Sequence, residues 1–423
     1  MKSRNGAAGL IAKALEPLFR GELPVRIVAW DGSAAGPATG PAVVIRSRKA
    51  LRRILWSPGE LGLAQAYVTG EIDIEGDLVE AFRTVWEVAR VRNLGPIKLA
   101  PADLARAVGI AIRLGVIGPK PPAPTSQAKL DGDLHSHTRD RAAISHHYDL
   151  SNEFYELVLD PQMAYSCGYW TSTDPGYTIT DAQRDKLDLI CQKLELAPGM
   201  RFLDVGCGWG ALILHAAEFY GVHATGVTIS AEQRAFVEKR VADRGLSDRV
   251  EVRLQDYREI SDGPYDRVAS IEMGEHVGLE NYPTYTSTLF RVLKPEGRLL
   301  LQQMSRGKTA PGGGAFIESY VAPDMHMRPL SQTLGMIEDA GFEIRDVHAL
   351  REHYAWTVKA WWDTLETRWE EAVALVGEEQ ARVWRLYLVG GMLTFEEGRM
   401  GVDQILAVRT SVVGASGMPA VRG

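Results

Sequence analysis

The stretch Phe202-Leu-Asp-Val-Gly-Cys-Gly-Trp-Gly210 decides the fold. A short apolar run leads into three alternate glycines, and residues 211–220 then follow a helical pattern. Glycines at such a turn let the backbone approach a ligand closely and supply N–H groups to it. In open α/β sheets, ligands bind outside the carboxyl ends of the strands at this kind of turn. The stretch therefore predicts a ligand-binding loop in a doubly wound sheet.

The alternation of strand-like and helical patterns continues on both sides of the loop. Strand-like runs alternate with helical runs; the strand-like runs cover 201–205, 223–227, 250–254, 267–271 and 298–303, and the helical runs cover 181–194, 211–220, 231–244 and 282–293. Strands that alternate with helices of this length predict a parallel sheet. Residues 357–392 are strongly helical in pattern.

A proline-rich stretch separates this part from the N-terminal part. Residues 118–127 contain four prolines, which resist helix and sheet and predict an extended linker. The residues before it mix short strand-like and helical runs, which predicts a small α+β module. We therefore expect an N-terminal domain over 1–118, a linker over 119–139 and a larger domain over 140–423.

Charge is divided unevenly between these parts. Residues 1–129 hold 18 Lys and Arg against 11 Asp and Glu, a net charge of +7, whereas the rest of the chain carries −14. Five cations lie within residues 46–53. This run predicts docking to an anionic membrane surface, with a solvated helix face as the alternative. Nucleic acid is not expected, because no aromatic residue is interleaved in the run.

Composition limits the class of protein. Among 423 residues, 45% are apolar and 24% are charged, as in ordinary soluble domains. The three cysteines, Cys167, Cys191 and Cys207, lack the paired spacing of a disulfide framework and indicate a reducing compartment. No signal peptide and no membrane-spanning run is recognisable. We expect a cytoplasmic protein that is peripheral on the inner face of the cell membrane.

Two features narrow the ligand of the glycine loop to S-adenosylmethionine (SAM). The loop lacks the offset third glycine of the dinucleotide fingerprint, and no P-loop Lys-Ser/Thr pair follows. Asp204 stands where SAM-dependent methyltransferases face the methionine part of SAM, and Asp256 and Tyr257 follow a later strand, where such enzymes hold adenine. The fold class expected is α/β, a Rossmann-like SAM-dependent methyltransferase domain with a smaller N-terminal α+β domain.

Further motifs occur in order around the loop. They are 146–155 (HHYDLSNEFY), 163–170 (MAYSCGYW), 226–233 (GVTISAEQ), 254–258 (LQDYR), 273–277 (MGEHV) and His353-Tyr354. Over residues 140–410, the chain resembles the cyclopropane-fatty-acyl-phospholipid synthase family and its mycolic-acid and methyl-branching relatives. The basic N-terminal module also looks like the extra domain of the full-length bacterial members.

The resemblance implies an activity and a cofactor site. Members of the family methylate a cis double bond in the acyl chain of a membrane phospholipid, through a carbocation that must then lose a proton. The cofactor-binding residues expected are Tyr148, Tyr165, Ser166, Asp204, Gly206, Gly208, Gly210, Thr228, Gln233, Asp256 and Tyr257.

The resemblance also implies how the proton is removed, and here the chain departs from the family pattern. The base of the family is a bound bicarbonate; Cys167, Glu275 and Tyr354 match residues that hold it, but Gln302 stands where the family has His. Glu272 stands where the family usually has Gly. Either bicarbonate binds more weakly or Glu272 acts as the base, because two neighbouring carboxylates raise the pKa of one of them.

Several alternatives stay open. His276 is a structural partner or a catalytic residue beside Glu275, and the Glu272/Glu275 pair could instead hold a divalent ion. Loss of the proton gives either a 10-methylene chain, which we favour from Gln302 and Glu272, or a cyclopropane. A small-molecule O- or C-methyltransferase is a remoter alternative. A homo-oligomer and a reductase that acts on a methylene product are further partners left open.

Overall fold

The computed structural model describes residues 6–94, 100–128, 151–307 and 313–420. The chain forms two compact units. One unit comprises Met1–Gln127 with Val376–Leu393, and the other comprises Ala128–Leu375 with Thr394–Gly423. Within the described ranges, no helix is long and apolar enough to cross a bilayer.

The first unit is an α+β module around a small sheet. Its strands are β1 (Arg26–Ala29), β2 (Ala34–Ala35), β3 (Ala42–Ile45) and β4 (Ile72–Glu75), in the order β2-β1-β3-β4. Its first helices are α1 (Ala7–Phe19), α2 (Arg48–Trp56), α3 (Glu60–Val68), α4 (Leu78–Val91) and α5 (Pro101–Arg113). Strands β1 and β3 are parallel, and the other pairs are antiparallel. Apolar residues of the sheet and of α1, α2 and α5 form its core.

The second unit is the predicted Rossmann-like domain. Its strands are β5 (Arg201–Val205), β6 (His223–Thr228), β7 (Val250–Leu254), β8 (Tyr265–Ile271), β9 (Leu293–Arg306), β10 (Glu343–Ala349) and β11 (Met400–Val408). Its helices are α6 (Asn152–Val158), α7 (Ile179–Leu194), α8 (Ala211–Tyr220), α9 (Ala231–Asp243), α10 (Tyr282–Val292), α11 (Ala315–Tyr320), α12 (Leu330–Asp339), α13 (Arg351–Thr367) and α14 (Trp369–Val376).

The sheet order, β10-β11-β9-β8-β5-β6-β7, puts the glycine loop near the middle. Strands β5 to β9 are parallel to one another. Strand β11 lies between β9 and β10 and is antiparallel to both. The predicted strand 201–205 and helix 211–220 have those bounds in the structure. The antiparallel pair β10 and β11 was not predicted. The carboxyl ends of β5, β6 and β8 therefore face one edge.

The domain boundaries differ from the predicted ones. Residues 119–127 belong to the first unit, since Arg53 donates to the carbonyl of Pro122 (2.7 Å) and Glu379 accepts from Ser126. Helix α15 (Glu378–Glu396) lies mostly in the same unit, where Arg382 pairs with Asp73 at 3.2 Å. The proline-rich stretch is thus packed against the first unit and does not act as a free spacer over these residues.

Candidate active site

A cavity opens at the carboxyl ends of β5, β6 and β8, and it brings together most of the predicted cofactor residues. Its lining includes Tyr165, Ser166, Asp204, Gly206, Gly208, Thr228, Gln233, Asp256 and Tyr257. Gly210 is not among the lining residues, and Tyr148 lies outside the described residues. Residues distant in the chain therefore form one site at the edge that the fold class predicts.

The glycines of the loop have different roles. Gly206 has a φ of 84°, and a Cβ on it would lie 2.7 Å from Cγ of Met273. Gly210 begins α8 with a φ of 80°, and a Cβ there would lie 2.7 Å from Val237 of α9. The cavity lining does not support the prediction that Gly210 contacts the cofactor, and the close approach of α9 gives this glycine a role in helix packing. The N–H groups of Gly206 and Cys207 both donate to the carbonyl of Val227, so they are not free for a ligand.

Asp204 carries the strongest sign of a cationic ligand. It is buried, it lines the cavity, and its Oδ1 has no hydrogen-bond partner among the described residues. Burial raises its pKa to about 7, although the Lys186 ammonium opposes this shift. A buried carboxylate oxygen without a donor is costly unless a ligand supplies one. The amino group of the methionine part of SAM would supply that donor.

Glu272 directly follows β8 and lines the same cavity. Its Oε1 accepts from the Cys167 N–H (2.9 Å) and from Nε2 of Gln302 (2.8 Å), and its Oε2 accepts from the Tyr354 hydroxyl (2.5 Å). These donors come from the 163–167 segment, from β9 and from α13. Burial raises the pKa of Glu272, and the three donors, Tyr354 foremost, oppose that rise. Both oxygens are thus engaged, which disfavours the divalent-ion alternative.

The backbone of Glu272 is in the left-handed region, with a φ of 51°. This conformation costs a residue with a side chain about 1 kcal/mol, whereas glycine adopts it freely. The orientation of Gln302 is set by Gln404 on the neighbouring strand β11, whose Nε2 donates to Oε1 of Gln302 at 3.0 Å. The amide nitrogen of Gln302 is consequently left to face Glu272.

Glu275 lies in the short 3-10 turn Gly274–His276 and is fully buried. Its Oε1 accepts from the Met304 N–H at 2.6 Å. Burial raises its pKa to about 8, the charge of Glu272 adds to this rise, and Arg328 opposes it. His276 lines the cavity next to it. Glu275 is therefore mainly protonated at neutral pH.

Aromatic residues surround the Tyr354 side of the site. The Tyr354 ring stacks on Phe395 with centroids 4.4 Å apart, and Tyr165 packs on Trp361 at 5.4 Å. Trp361 is fully buried, whereas Trp356 is 45% exposed. Trp361 is therefore part of the packing between helices, and the aromatic ring of Tyr354, whose hydroxyl donates to Glu272, would stabilise a nearby cation through its π face.

Three buried polar residues of the site escaped the sequence analysis. Lys186 lines the cavity, Gln183 holds the 163–167 segment, and Gln404 orients Gln302. The first two interrupt the apolar stripe of α7, where Ala182, Leu187 and Ile190 are buried. A cation on the buried face of a helix was the available signal, because such a residue is rarely buried without a partner.

Comparison with known proteins agrees with this geometry. Residues 135–405 match the family model described as mycolic acid cyclopropane synthetase. The chain belongs to this family.

Family members resemble the chain over different lengths. A probable fatty acid methyltransferase of Mycobacterium tuberculosis is 37% identical over 407 residues, 94% of each chain. The cyclopropane-fatty-acyl-phospholipid synthase of Escherichia coli is 40% identical over 242 residues, 57% of this chain and 61% of its own. The crystal structure of the mycolic acid cyclopropane synthase CmaA1 with SAH and CTAB covers 65% of this chain and 99% of its own, with 34% identity and a TM-score of 0.60.

The family and the cavity together establish the general chemistry. The chain is a SAM-dependent methyltransferase of the cyclopropane synthase type. Asp204 and the residues from β6 and β7 would hold the cofactor, which supplies an electrophilic methyl group when bound. The segment from Met163 to Cys167 would close the site on the side of Glu272.

The raised pKa of Glu275 predicts a pH-dependent stability. A carboxyl whose folded pKa is about 8 and whose unfolded pKa is near 4.3 stabilises the fold at low pH, and this contribution is lost as pH rises through about 8. Glu275→Gln mimics the protonated form. We expect its stability relative to wild type to be higher at pH 8.5 than at pH 5 by several kcal/mol, because the two pKa values differ by more than three pH units.

Thermal unfolding followed by circular dichroism at both pH values measures the difference. The exposed Glu280→Gln is a matched control that should show no pH-dependent gain. An equal loss of stability for Glu275→Gln at both pH values would contradict the assignment.

Proposed function

We propose that the chain transfers the methyl group of SAM to the cis double bond of an unsaturated, oleoyl-type acyl chain of a membrane phospholipid. The observation that carries the proposal is the Glu272 carboxylate, held by three donors beside the SAM cavity. After an alkene is methylated, a base must remove a proton from the resulting carbocation in a site without free solvent. A carboxylate held in place can act as this base. Relatives named for fatty acids and phospholipids support the substrate class.

Glu272 is suited to take the proton. When the alkene electrons form the new C–C bond, a cation remains on the acyl chain, and a C–H bond of the new methyl group must break. A carboxylate offers about four lone-pair positions, and Cys167, Gln302 and Tyr354 occupy three of them. The remaining position can accept the proton, and the same donors hold the carboxyl in place.

We further propose that Glu272 takes the place of bicarbonate. The resemblance assigns Cys167, Tyr354 and the position of Gln302 to a bound bicarbonate. In this chain, all three donate to Glu272 instead. A second anion at the same donors would meet the negative charge of Glu272 in a poorly solvated site, which is unfavourable.

The Glu272 base is tested by two substitutions with opposite responses to bicarbonate. Glu272→Gln keeps the side-chain volume but cannot accept a proton, so we expect turnover to fall at least about 100-fold, with or without bicarbonate. Glu272→Gly vacates the donors and relieves the left-handed backbone, so we expect weak turnover that rises with added bicarbonate. Wild type should be indifferent to bicarbonate.

Methyl transfer to oleoyl phospholipid is measured in CO2-depleted buffer with and without bicarbonate. Glu280→Gln, at an exposed site, is the control and should behave as wild type. Near-full turnover of Glu272→Gln across pH would exclude Glu272 as the base.

The product we propose is the 10-methylene chain, with the cyclopropane as the alternative. Both products arise when the same methyl group loses a proton, either directly with ring closure or after a hydride shift. The Glu272 and Gln302 departures from the cyclopropane pattern favour the methylene.

Product analysis distinguishes the two outcomes. After incubation with SAM and oleoyl phospholipid, we expect mass spectrometry of the methyl esters to show one added carbon. Ozonolysis should cleave the product at the methylene, whereas a cyclopropane resists it. A resistant product would support the cyclopropane alternative, and no added carbon would favour a small-molecule O- or C-methyltransferase.

We propose that the first unit binds the membrane through a surface that includes only part of the basic run. Arg53 is buried in an ion pair with Glu71 at 3.0 Å, and Arg46 pairs with Asp73 at 2.6 Å. The buried Arg53 is not available to a lipid headgroup, whereas Arg46 stays exposed in its ion pair, so the run 46–53 acts only in part. Arg48 and Lys49 remain exposed.

Apolar residues extend this surface along α5. Leu104, Val108 and Ile112 form one stripe on the helix and are 54%, 47% and 63% exposed. The end of α5 lies beside α2, because Arg52 Nε donates to the carbonyl of Val116 at 3.0 Å. We propose that this stripe and the α2 cations bind an anionic bilayer, where apolar side chains enter the interface and cations meet headgroups.

Vesicle co-sedimentation tests the surface. We expect anionic vesicles to bind more protein than neutral ones at low salt, and the triple change Leu104→Ser, Val108→Ser and Ile112→Ser to reduce binding at least about tenfold. Phe219→Ser, an exposed apolar residue of the second unit, is the control. Equal binding to neutral and anionic vesicles would contradict electrostatic docking, and a stripe variant that changes only the oligomeric state would indicate a second copy as the partner.

A further inference from the structure

Lys186 is a buried cation that neither the glycine loop nor the proton acceptor accounts for. It lies on α7 with 2% exposure, lines the SAM cavity, and donates from Nζ to Oγ of Ser166 at 2.9 Å. Removing an ammonium from water costs several kcal/mol unless negative groups compensate it. A lysine at this place therefore needs a reason that packing does not supply.

The groups that face Lys186 are mostly acidic. Asp160, Asp204 and Glu272 attract the charge of Lys186, and this charge also acts on the Cys167 thiol and on His215. Burial lowers the pKa of Lys186, and the carboxylates oppose that shift. Lys186 in turn lowers the pKa of both Asp204 and Glu272, which burial raises.

Asp204 and Glu272 have different additional support. Glu272 also has hydrogen bonds from Tyr354, Cys167 and Gln302. For Asp204, Lys186 opposes the effect of burial without such bonds to the carboxylate. The ammonium is thus a charge shared by the cofactor side and the base side of one cavity.

We propose that Lys186 is a positioning residue that keeps Asp204 and Glu272 ionised together while it holds the 163–167 segment through Ser166. The proposal rests on the proposed function of Glu272, but its Asp204 part needs only cofactor binding. When SAM is bound, its sulfonium and the Lys186 ammonium together balance the charges of the Asp204 and Glu272 carboxylates. Without Lys186, two enclosed carboxylates share a single positive charge, and one of them takes up a proton.

Gln183 allows a merely structural role to be separated from the charge. It lies three residues before Lys186 on the same face of α7, and its Nε2 donates to the carbonyls of Ala164 (3.1 Å) and Ser166 (2.8 Å). It therefore holds the same segment without a charge. Gln183→Leu removes the support alone, and Lys186→Gln keeps a donor near Ser166 but removes the charge.

The experiment measures two pH profiles for the wild type and both variants. The first is SAM affinity by titration calorimetry, and the second is turnover of oleoyl phospholipid. In Lys186→Gln, we expect the pH below which SAM binding weakens and the acid limb of turnover both to move up by about one pH unit. Gln183→Leu should lower affinity or turnover by a similar factor at every pH, without a shift. Lys186→Met, which leaves no polar group, serves if the Gln variant does not fold.

Coincident profiles for wild type and Lys186→Gln would overturn the proposal. The two readouts also separate it from the proposed function. If no acyl product forms with wild type but the SAM-binding profile of Lys186→Gln shifts, the substrate assignment fails and the role of Lys186 at Asp204 stands. If turnover occurs normally and neither profile shifts, the role of Lys186 fails and the proposed function stands.

Discussion

The enclosed carboxylate of Glu272 is the constraint on which the rest of the site depends. A carboxylate away from bulk water is unstable unless donors and opposite charge compensate it. Its donors come from the 163–167 segment, from β9 and from α13, so the fold must bring three distant segments to the end of β8. Gln404 on β11 then fixes Gln302. The Glu272 side chain thus accounts for the positions of several polar groups at the end of β8.

The same low-polarity environment links the two halves of the cavity. Asp204 and Glu272 both line this cavity at the ends of neighbouring strands, burial raises the pKa of both, and Lys186 opposes that rise in both. The pKa of Glu275 rises to about 8, because the charge of Glu272 adds to the effect of burial. Burial thus raises the pKa of all three acids, and their different donors and neighbours oppose or add to that rise.

The first unit uses part of its positive charge within itself. Arg53 ties α2 to Glu71 and to the proline-rich stretch, and Arg382 connects α15 to Asp73. The basic run by itself therefore overstates the number of cations that are available to a partner. What the unit leaves at its surface is a combination of exposed cations and the apolar stripe of α5.

The sequence by itself determined the fold class, the glycine loop, most of the strands and helices of the second unit, and the family. These features depend on hydrophobic periodicity and on turn residues, which are local properties of the chain. It also identified Glu272 and Gln302 as departures from the family pattern. It did not determine that Gln302, Cys167 and Tyr354 converge on Glu272, that Gly210 packs on Val237, or that Arg53 is buried. Only the tertiary structure decided these points. Hydrogen bonding and desolvation depend on which residues, distant in the sequence, lie close together in space, and local sequence patterns do not contain this information.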